Sequence, residues 1–219
     1  TRCEAGGKSV GWKIGLTSKA MQDALKINIP DSGILFDDML FADEGTVPEG
    51  RFIQPRVEAE IAFVMKQGLS GPTVTRDEVL AATDYVTPSL EILDTRILRQ
   101  DPESGQVRTI VDTIADNAAN AGLVLGKARH DPKQLDLRRV GAIVMRNDEV
   151  EETGLGAGVL NDPVAGIIWL VARLAAYGQS IKPGEIVLSG SFIRPIEARP
   201  GDAFFADFGP FGTVTQNFA

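Results

Sequence analysis

The chain has 219 residues, 43% hydrophobic and 24% charged, which suits one well-filled soluble domain, 1–219, better than two small ones. A net charge of −8 with no basic run argues against nucleic acid as a partner, and no apolar stretch reads as a membrane span. The single cysteine, Cys3, excludes an internal disulfide and fits a reducing cytoplasm, while a start at Thr1 raises the expectation that an N-terminal piece is missing.

Gly11-Trp12-Lys13-Ile14-Gly15 reads as a short strand, followed by a helix capped by Thr17 or Ser18 and running to about Ile27, with Met21 and Leu25 inward. Residues 30–43 read as a loop. Arg56 to Val64 is a strand, and Thr75-Arg76-Asp77-Glu78 is a capping box opening a helix through Ala82. Tyr85 to Asp94 is extended. The polar stretch 99–109 reads as an inserted loop, of the kind that covers a site.

Ala121–Leu125 and Val140–Arg146 are further strands, the second turning at Asn147-Asp148. Asn161-Asp162-Pro163 starts a helix whose apolar stripe is Val164, Ile167, Ile168, Val171 and Leu174, stopped by Gly178. This segment, 164 to 176, is the longest apolar one, and Arg173 breaks it. Strands at 185–188, around Phe204 to Phe208, and at 213–218 close the chain. Many strands, few helices and frequent glycine and proline define a β-rich α+β domain, not a doubly wound sheet.

Glu58 and Glu60 are two apart on a strand, so they share a face with apolar Ala62 and Val64. Like charges held together in such surroundings need a cation, a shared proton or a strong donor. Glu91, set among apolar residues, is a third oxygen donor, and an all-carboxylate set without histidine or cysteine suits a hard cation, Mg2+ or Mn2+. A solvated strand edge and a salt-bridged core glutamate are the alternatives.

Lys13, between Trp12 and Ile14, is either a desolvated proton donor or a lysine whose stem packs on the sheet. Asp31 reads as a turn former. Ser189-Gly190-Ser191 is a serine–glycine turn whose N–H groups suit a carboxylate. Asp112 to Asn117 is either a substrate wall or an Asx-rich loop. His130, the lone histidine, lies in a polar turn and reads as a surface residue, which removes a Ser-His-Asp triad. The aromatics Phe204, Phe205, Phe208 and Phe211 read as core and subunit contact.

In order, Gly11-Trp12-Lys13-Ile14-Gly15-Leu16-Thr17-Ser18, Asp37-Asp38-Met39, Arg56-Val57-Glu58-Ala59-Glu60, the run Asp116 to Gly122 and Gly190-Ser191-Phe192 resemble the 2-oxopent-4-enoate hydratase and 4-oxalocrotonate decarboxylase family of the fumarylacetoacetate hydrolase superfamily. The similarity covers essentially the whole chain. Residues 97–112 and 116–120 look most like members that act on a seven-carbon dioate.

The resemblance implies a mixed β-roll, a Mg2+ site of Glu58, Glu60 and Glu91, and Lys13 and Asp31 flanking a 2-oxo acid. Ser191, Asp112, Asn117 and Arg194 are the candidate substrate contacts, and Arg96, Arg99, Arg108 and Arg194 the candidates for a distal carboxylate. It further implies a homo-oligomer and association with a decarboxylase. The expected reaction is hydration of a 2-hydroxy-2,4-dienoate. Decarboxylation on the same scaffold and a non-catalytic partner subunit are the rival expectations.

Overall fold

A computed structural model describes residues 7–19, 22–23, 29–98 and 100–219. Cys3, Met21, Leu25, Arg99 and most of the helix expected from 17 to 27 lie outside the described residues.

Two sheets carry the fold. The larger runs in the order Asp31–Phe36 (β2), Ser9–Gly15 (β1), Ile186–Ser191 (β10), Arg56–Met65 (β5), Thr83–Leu93 (β6), Asn120–Leu125 (β7) and Leu40–Phe41 (β3), with Ile196–Glu197 (β11) also on β5. The smaller runs Gly45–Val47 (β4), Thr213–Phe218 (β13), Ala203–Asp207 (β12), Gly141–Arg146 (β8) and Glu149–Leu155 (β9). Parallel pairs (β1 with β10, β3 with β7, β4 with β13) sit among antiparallel ones. This is a mixed-sheet α+β fold, as the sequence indicates.

Strand periodicity divides β5 between two interiors. Val57, Ala59, Ile61 and Phe63 enter the main core with Phe204, Ala206 and Val214 of the smaller sheet. Each large side chain fully buried there contributes about 1.5–3 kcal/mol. The even positions, Glu58, Glu60, Ala62 and Val64, face the other way, where Ala62 and Val64 join a smaller apolar cluster with Leu35, Leu123 and Leu188. The neighbouring strands split alike: Leu90 and Ile92 of β6 and Ile14 of β1 enter the main core.

The Thr75 capping box forms as expected, with both reciprocal bonds, and opens α1 (Arg76–Ala82). Helix α3 (Pro163–Ala175) has Asp162 as N-cap and Pro163 in its first turn. The segment Gly156–Ala175 has the length and apolarity of a membrane span. Only 13 residues of it form α3, about 20 Å of helix against a bilayer core of about 30 Å. Val164, Ile167, Val171 and Leu174 are all spent on the core, and Ile168 packs at its edge. The hairpin turn at Asn147-Asp148 has positive φ at both residues, 53° and 66°, matching the right-handed twist of β8 and β9.

Three expectations are corrected. Residues 31–36 are not loop but β2, antiparallel to β1 with Asp31 opposite Gly15 and Gly33 opposite Lys13. The segment Asp112 to Asn117 is not all Asx-rich loop: its first four residues belong to helix α2 (Ile110–Ala115), because Thr109 and Asp112 form a capping box with aspartate in the glutamate position. Ser189-Gly190-Ser191 is no turn: it completes β10, across a bulge against β5.

Candidate active site

The register of the sheet assembles the acids. Glu58 lies directly opposite Glu91 on β6, and Glu60 is two residues along the same face. One oxygen of each of the three carboxylates lies within 4.8 Å of the others. Glu60 and Glu91 are buried, at 1% and 0% exposure, and Glu58 is half-buried.

The partners are few. Glu60 Oε2 accepts the Gly190 N–H at 2.7 Å, and Glu91 Oε1 accepts Asn120 Nδ2–H at 2.8 Å, with Lys13 Nζ 3.4 Å away. Glu60 Oε1 and Glu91 Oε2 are buried with no donor. Burial pushes the Glu58 carboxyl up to about 8, helped by the Glu91 charge and opposed by Lys13. Burial, with the Glu91 and Glu58 charges, likewise raises Glu60 well above the usual range, against the pull of the Gly190 N–H. Orphaned buried oxygens and mutually repelling acids fit a hard divalent cation held by Glu58, Glu60 and Glu91. Zinc and copper sites favour nitrogen or sulfur ligands that this cluster does not offer.

Lys13 comes from β1 on the same face, 3% exposed. Its burial alone lowers the basicity of the ammonium, but Glu91, Asp31, Glu58 and Glu60 together outweigh that and hold it protonated. The stem-on-sheet alternative, with the ammonium in water, is thereby excluded. Asp31, at the start of β2, is buried and its carboxyl is raised, by desolvation first and by Glu91, against the pull of Lys13 and the Gly15 N–H. Its Oδ1 has no hydrogen-bond partner. Gly15 is required here: a Cβ would stand 2.3 Å from Asp31 Oδ1 and 3.0 Å from Lys13 Nζ.

These groups border a cavity of about 500 Å³ lined by Lys13, Asp31 and Glu58, by Arg56, Arg108 and Arg194, and by apolar groups such as Leu93, Ile110 and Phe192. A larger depression, about 1090 Å³, lies against β8, β9 and β12 and is mostly apolar. The carboxylate cluster, with its charge and unpaired oxygens, places the chemistry at the smaller one.

Ser191 lines that cavity, but its hydroxyl is engaged locally at the end of β10, donating to Ile193 O and accepting the Ile193 N–H. Arg194 lines it too, paired with Glu152. Asp112 and Asn117 do not line it. The Asp112 carboxylate is taken by the Thr109 N–H and hydroxyl, and the Asn117 amide exchanges two hydrogen bonds with the backbone of Ile34. The Gly190 N–H serves Glu60 rather than a substrate.

Asn117, Ala118 and Ala119 have φ of 54°, 52° and 59°, three left-handed residues in succession, each costing about 1–2 kcal/mol. The turn is held by the Asn117–Ile34 bonds and by Arg96, which grips Asp116 and the Asn120 carbonyl. It brings Ala118 and Ala119 to the cavity wall and Asn120 to Glu91. Asn120 was not legible as a functional group in the sequence, whereas the Gly190 N–H, expected to bind a substrate carboxylate, binds the carboxylate of Glu60. His130 sits apart, half-buried rather than on the surface, stacked on Phe211 and with Nε2 2.9 Å from the Phe211 carbonyl.

No family model matches the chain. It is 50% identical over 208 residues to the 2-oxo-hept-4-ene-1,7-dioate hydratase of Escherichia coli, covering 95% of this chain and 78% of that protein. It is 40% identical over 217 residues to the 2-keto-4-pentenoate hydratase of Paraburkholderia xenovorans (strain LB400), covering 99% and 78%. Among solved structures, 4-oxalocrotonate decarboxylase from Pseudomonas putida G7, complexed with magnesium and adipate, superimposes with a TM-score of 0.91 at 34% identity, over all of this chain and 81% of that one. The chain belongs to the 2-oxopent-4-enoate hydratase and 4-oxalocrotonate decarboxylase family of the fumarylacetoacetate hydrolase superfamily.

Proposed function

We propose that this chain is a Mg2+-dependent hydro-lyase of aromatic meta-cleavage catabolism, working in the cytoplasm as a homo-oligomer. It adds water to a 2-hydroxy-2,4-dienoate or its 2-oxo-4-enoate tautomer, with 2-oxohept-4-ene-1,7-dioate as substrate and 4-hydroxy-2-oxoheptanedioate as product. The observation that carries the reading is the cluster at one cavity: three convergent glutamates, of which Glu58 lines the cavity and Glu60 and Glu91 behind it carry orphaned oxygens, with buried Lys13 and Asp31 beside them. The 50% identity to a hydratase named for that seven-carbon dioate supports the substrate.

Glu58, Glu60 and Glu91 would hold Mg2+, or Mn2+ in its place. When bound, the ion supplies Lewis acidity toward the C1 carboxylate and C2 oxygen of a 2-oxo acid. The protein's own groups handle protons. The Lys13 ammonium offers a permanent positive charge and a proton donor where electron density collects during ketonisation. Asp31, raised by burial, takes the proton from the 2-hydroxyl of the dienol, or from C3 of the oxo tautomer, and delivers it to C5 to leave a C3=C4 enone, and it then deprotonates the water that attacks C4. The C3 carbanion equivalent is quenched by the returned proton, so the net change is one water gained.

Decarboxylation is the second reading, supported by the decarboxylase name of the structural neighbour at 34% identity. The dioate-hydratase relative at 50% favours hydration. A decarboxylase as a binding partner is carried by the same family likeness. One assay separates the two reactions: the purified chain with Mg2+ and the dienoate should lose diene absorbance and yield product heavier by one water, with no carbon dioxide released.

A further inference from the structure

Three arginines line the cavity, and their surroundings differ. Arg194 is paired with Glu152 and its side chain is 80% exposed, so its charge is both offset and screened. Arg56 stands at the start of β5, where its charge acts on Glu58 and favours that carboxylate's ionised form. Arg96, off the cavity, is committed to Asp116.

Arg108 is different. Among the described residues no carboxylate lies within 4 Å of its guanidinium, yet it is part-buried and fixed, donating from one terminal nitrogen to Thr95 Oγ1. The Thr95 hydroxyl, itself buried, donates at 2.6 Å to the Ile97 carbonyl, so it stands as an acceptor toward Arg108. Among the described residues the rest of the planar fork, which matches a carboxylate in geometry, makes no other side-chain hydrogen bond. The same cavity is lined by Leu93, Ile110 and Ala119 as well as Thr109 and Thr113, and its apolar members suit the methylene run of an extended acid. Its charge also acts on the Asp112 carboxylate, as the least of the influences on that group. A braced cation that makes no ion pair among the described residues, in a cavity with apolar lining and a protein of net charge −8, suits an anion.

We infer that Arg108 is the specificity-determining residue that receives the distal carboxylate of a dicarboxylic 2-oxo acid. This rests on the reading of the cavity as a 2-oxo acid site, and it selects one among the three candidate arginines that lie within the described residues.

The test uses two saturated analogues that cannot be hydrated, 2-oxoheptanedioate and 2-oxoheptanoate, titrated calorimetrically into the full chain loaded with Mg2+. Wild type binds the diacid more tightly than the monoacid, by about 10- to 100-fold. Arg108→Gln abolishes that preference while leaving the monoacid Kd within about twofold, so the monoacid also reports that the site is still folded. Arg108→Lys, with charge but no fork, keeps part of the preference. A wild type without preference, a preference that survives in Arg108→Gln, or equal weakening of both acids would each overturn the assignment. Hydration is scored separately on the diene: an Arg108-dependent preference in a chain that hydrates nothing upholds the subsite and contradicts the reaction.

Discussion

Lys13 Nζ lies 3.4 Å from Glu91 Oε1, and both side chains are almost wholly removed from solvent. The contact joins the two halves of the site: Glu91 belongs to the carboxylate cluster, and Lys13 to the couple with Asp31. A lysine so placed is held protonated by its acidic neighbours, Glu91 foremost, so it is suited to stabilise charge and donate a proton rather than to act as a base.

Lys13→Met should therefore lower kcat by about 10²–10⁴-fold. Removing a cation beside three carboxylates makes the cluster more attractive to Mg2+, so the Mg2+ Kd should stay the same or tighten. Steady-state kinetics beside metal titration checks this. A kcat near wild type removes Lys13 from the mechanism.

The metal-free protein should lose stability as pH rises. Glu58 has a folded-state value near 8 against about 4.5 unfolded, so between those values the folded state holds more protons than the unfolded one. Stability from this source is greatest below about pH 4.5 and declines toward pH 8, and Glu60 acts in the same direction. Mg2+ displaces those protons, so the rise in Tm on adding Mg2+ should be larger at pH 8 than at pH 6. Thermal melts with EDTA and with Mg2+ at the two pH values decide it.

Gly15→Ala should cripple turnover with the fold intact, since its Cβ falls on Asp31 and close to Lys13 Nζ. Displacing the couple by about 1 Å is enough for a loss on the order of 10²-fold. Circular dichroism should match wild type while kcat falls.

Asn117→Ala should act on stability rather than on substrate. It strands the N–H and carbonyl of Ile34 and releases a left-handed turn, costing about 1–3 kcal/mol. Urea denaturation should show the loss. A selective rise in KM without destabilisation would return Asn117 to substrate contact.

The three glutamates were legible because strand periodicity needs only spacing: two apart on β5, and one on a second strand with apolar neighbours on both sides. The Thr75 and Asp162 helix starts were legible for the same local reason. Asp31 was marked by the family resemblance alone, because a buried acid at the start of a strand and a turn-forming acid are written with the same residues; pairing with β1 decides between them. Helix α2 was hidden by aspartate doing a glutamate's work in the cap. The left-handed turn at 117–119 contains no glycine to announce it, and its cost is offset by Arg96 and Ile34, partners distant in sequence. The sequence marked the Gly190 N–H as a carboxylate binder but not whose carboxylate; register places it on Glu60, and brings Asn120, which carried no such signal, to Glu91.

The most direct measurement is turnover of the dienoate by the purified chain, followed by mass spectrometry of the product, with Mg2+, with EDTA and for Glu60→Gln. The account predicts one water added with Mg2+, almost none with EDTA, and almost none for the variant at wild-type Mg2+ concentration. Undiminished hydration in EDTA, or an unimpaired Glu60→Gln enzyme, would contradict it.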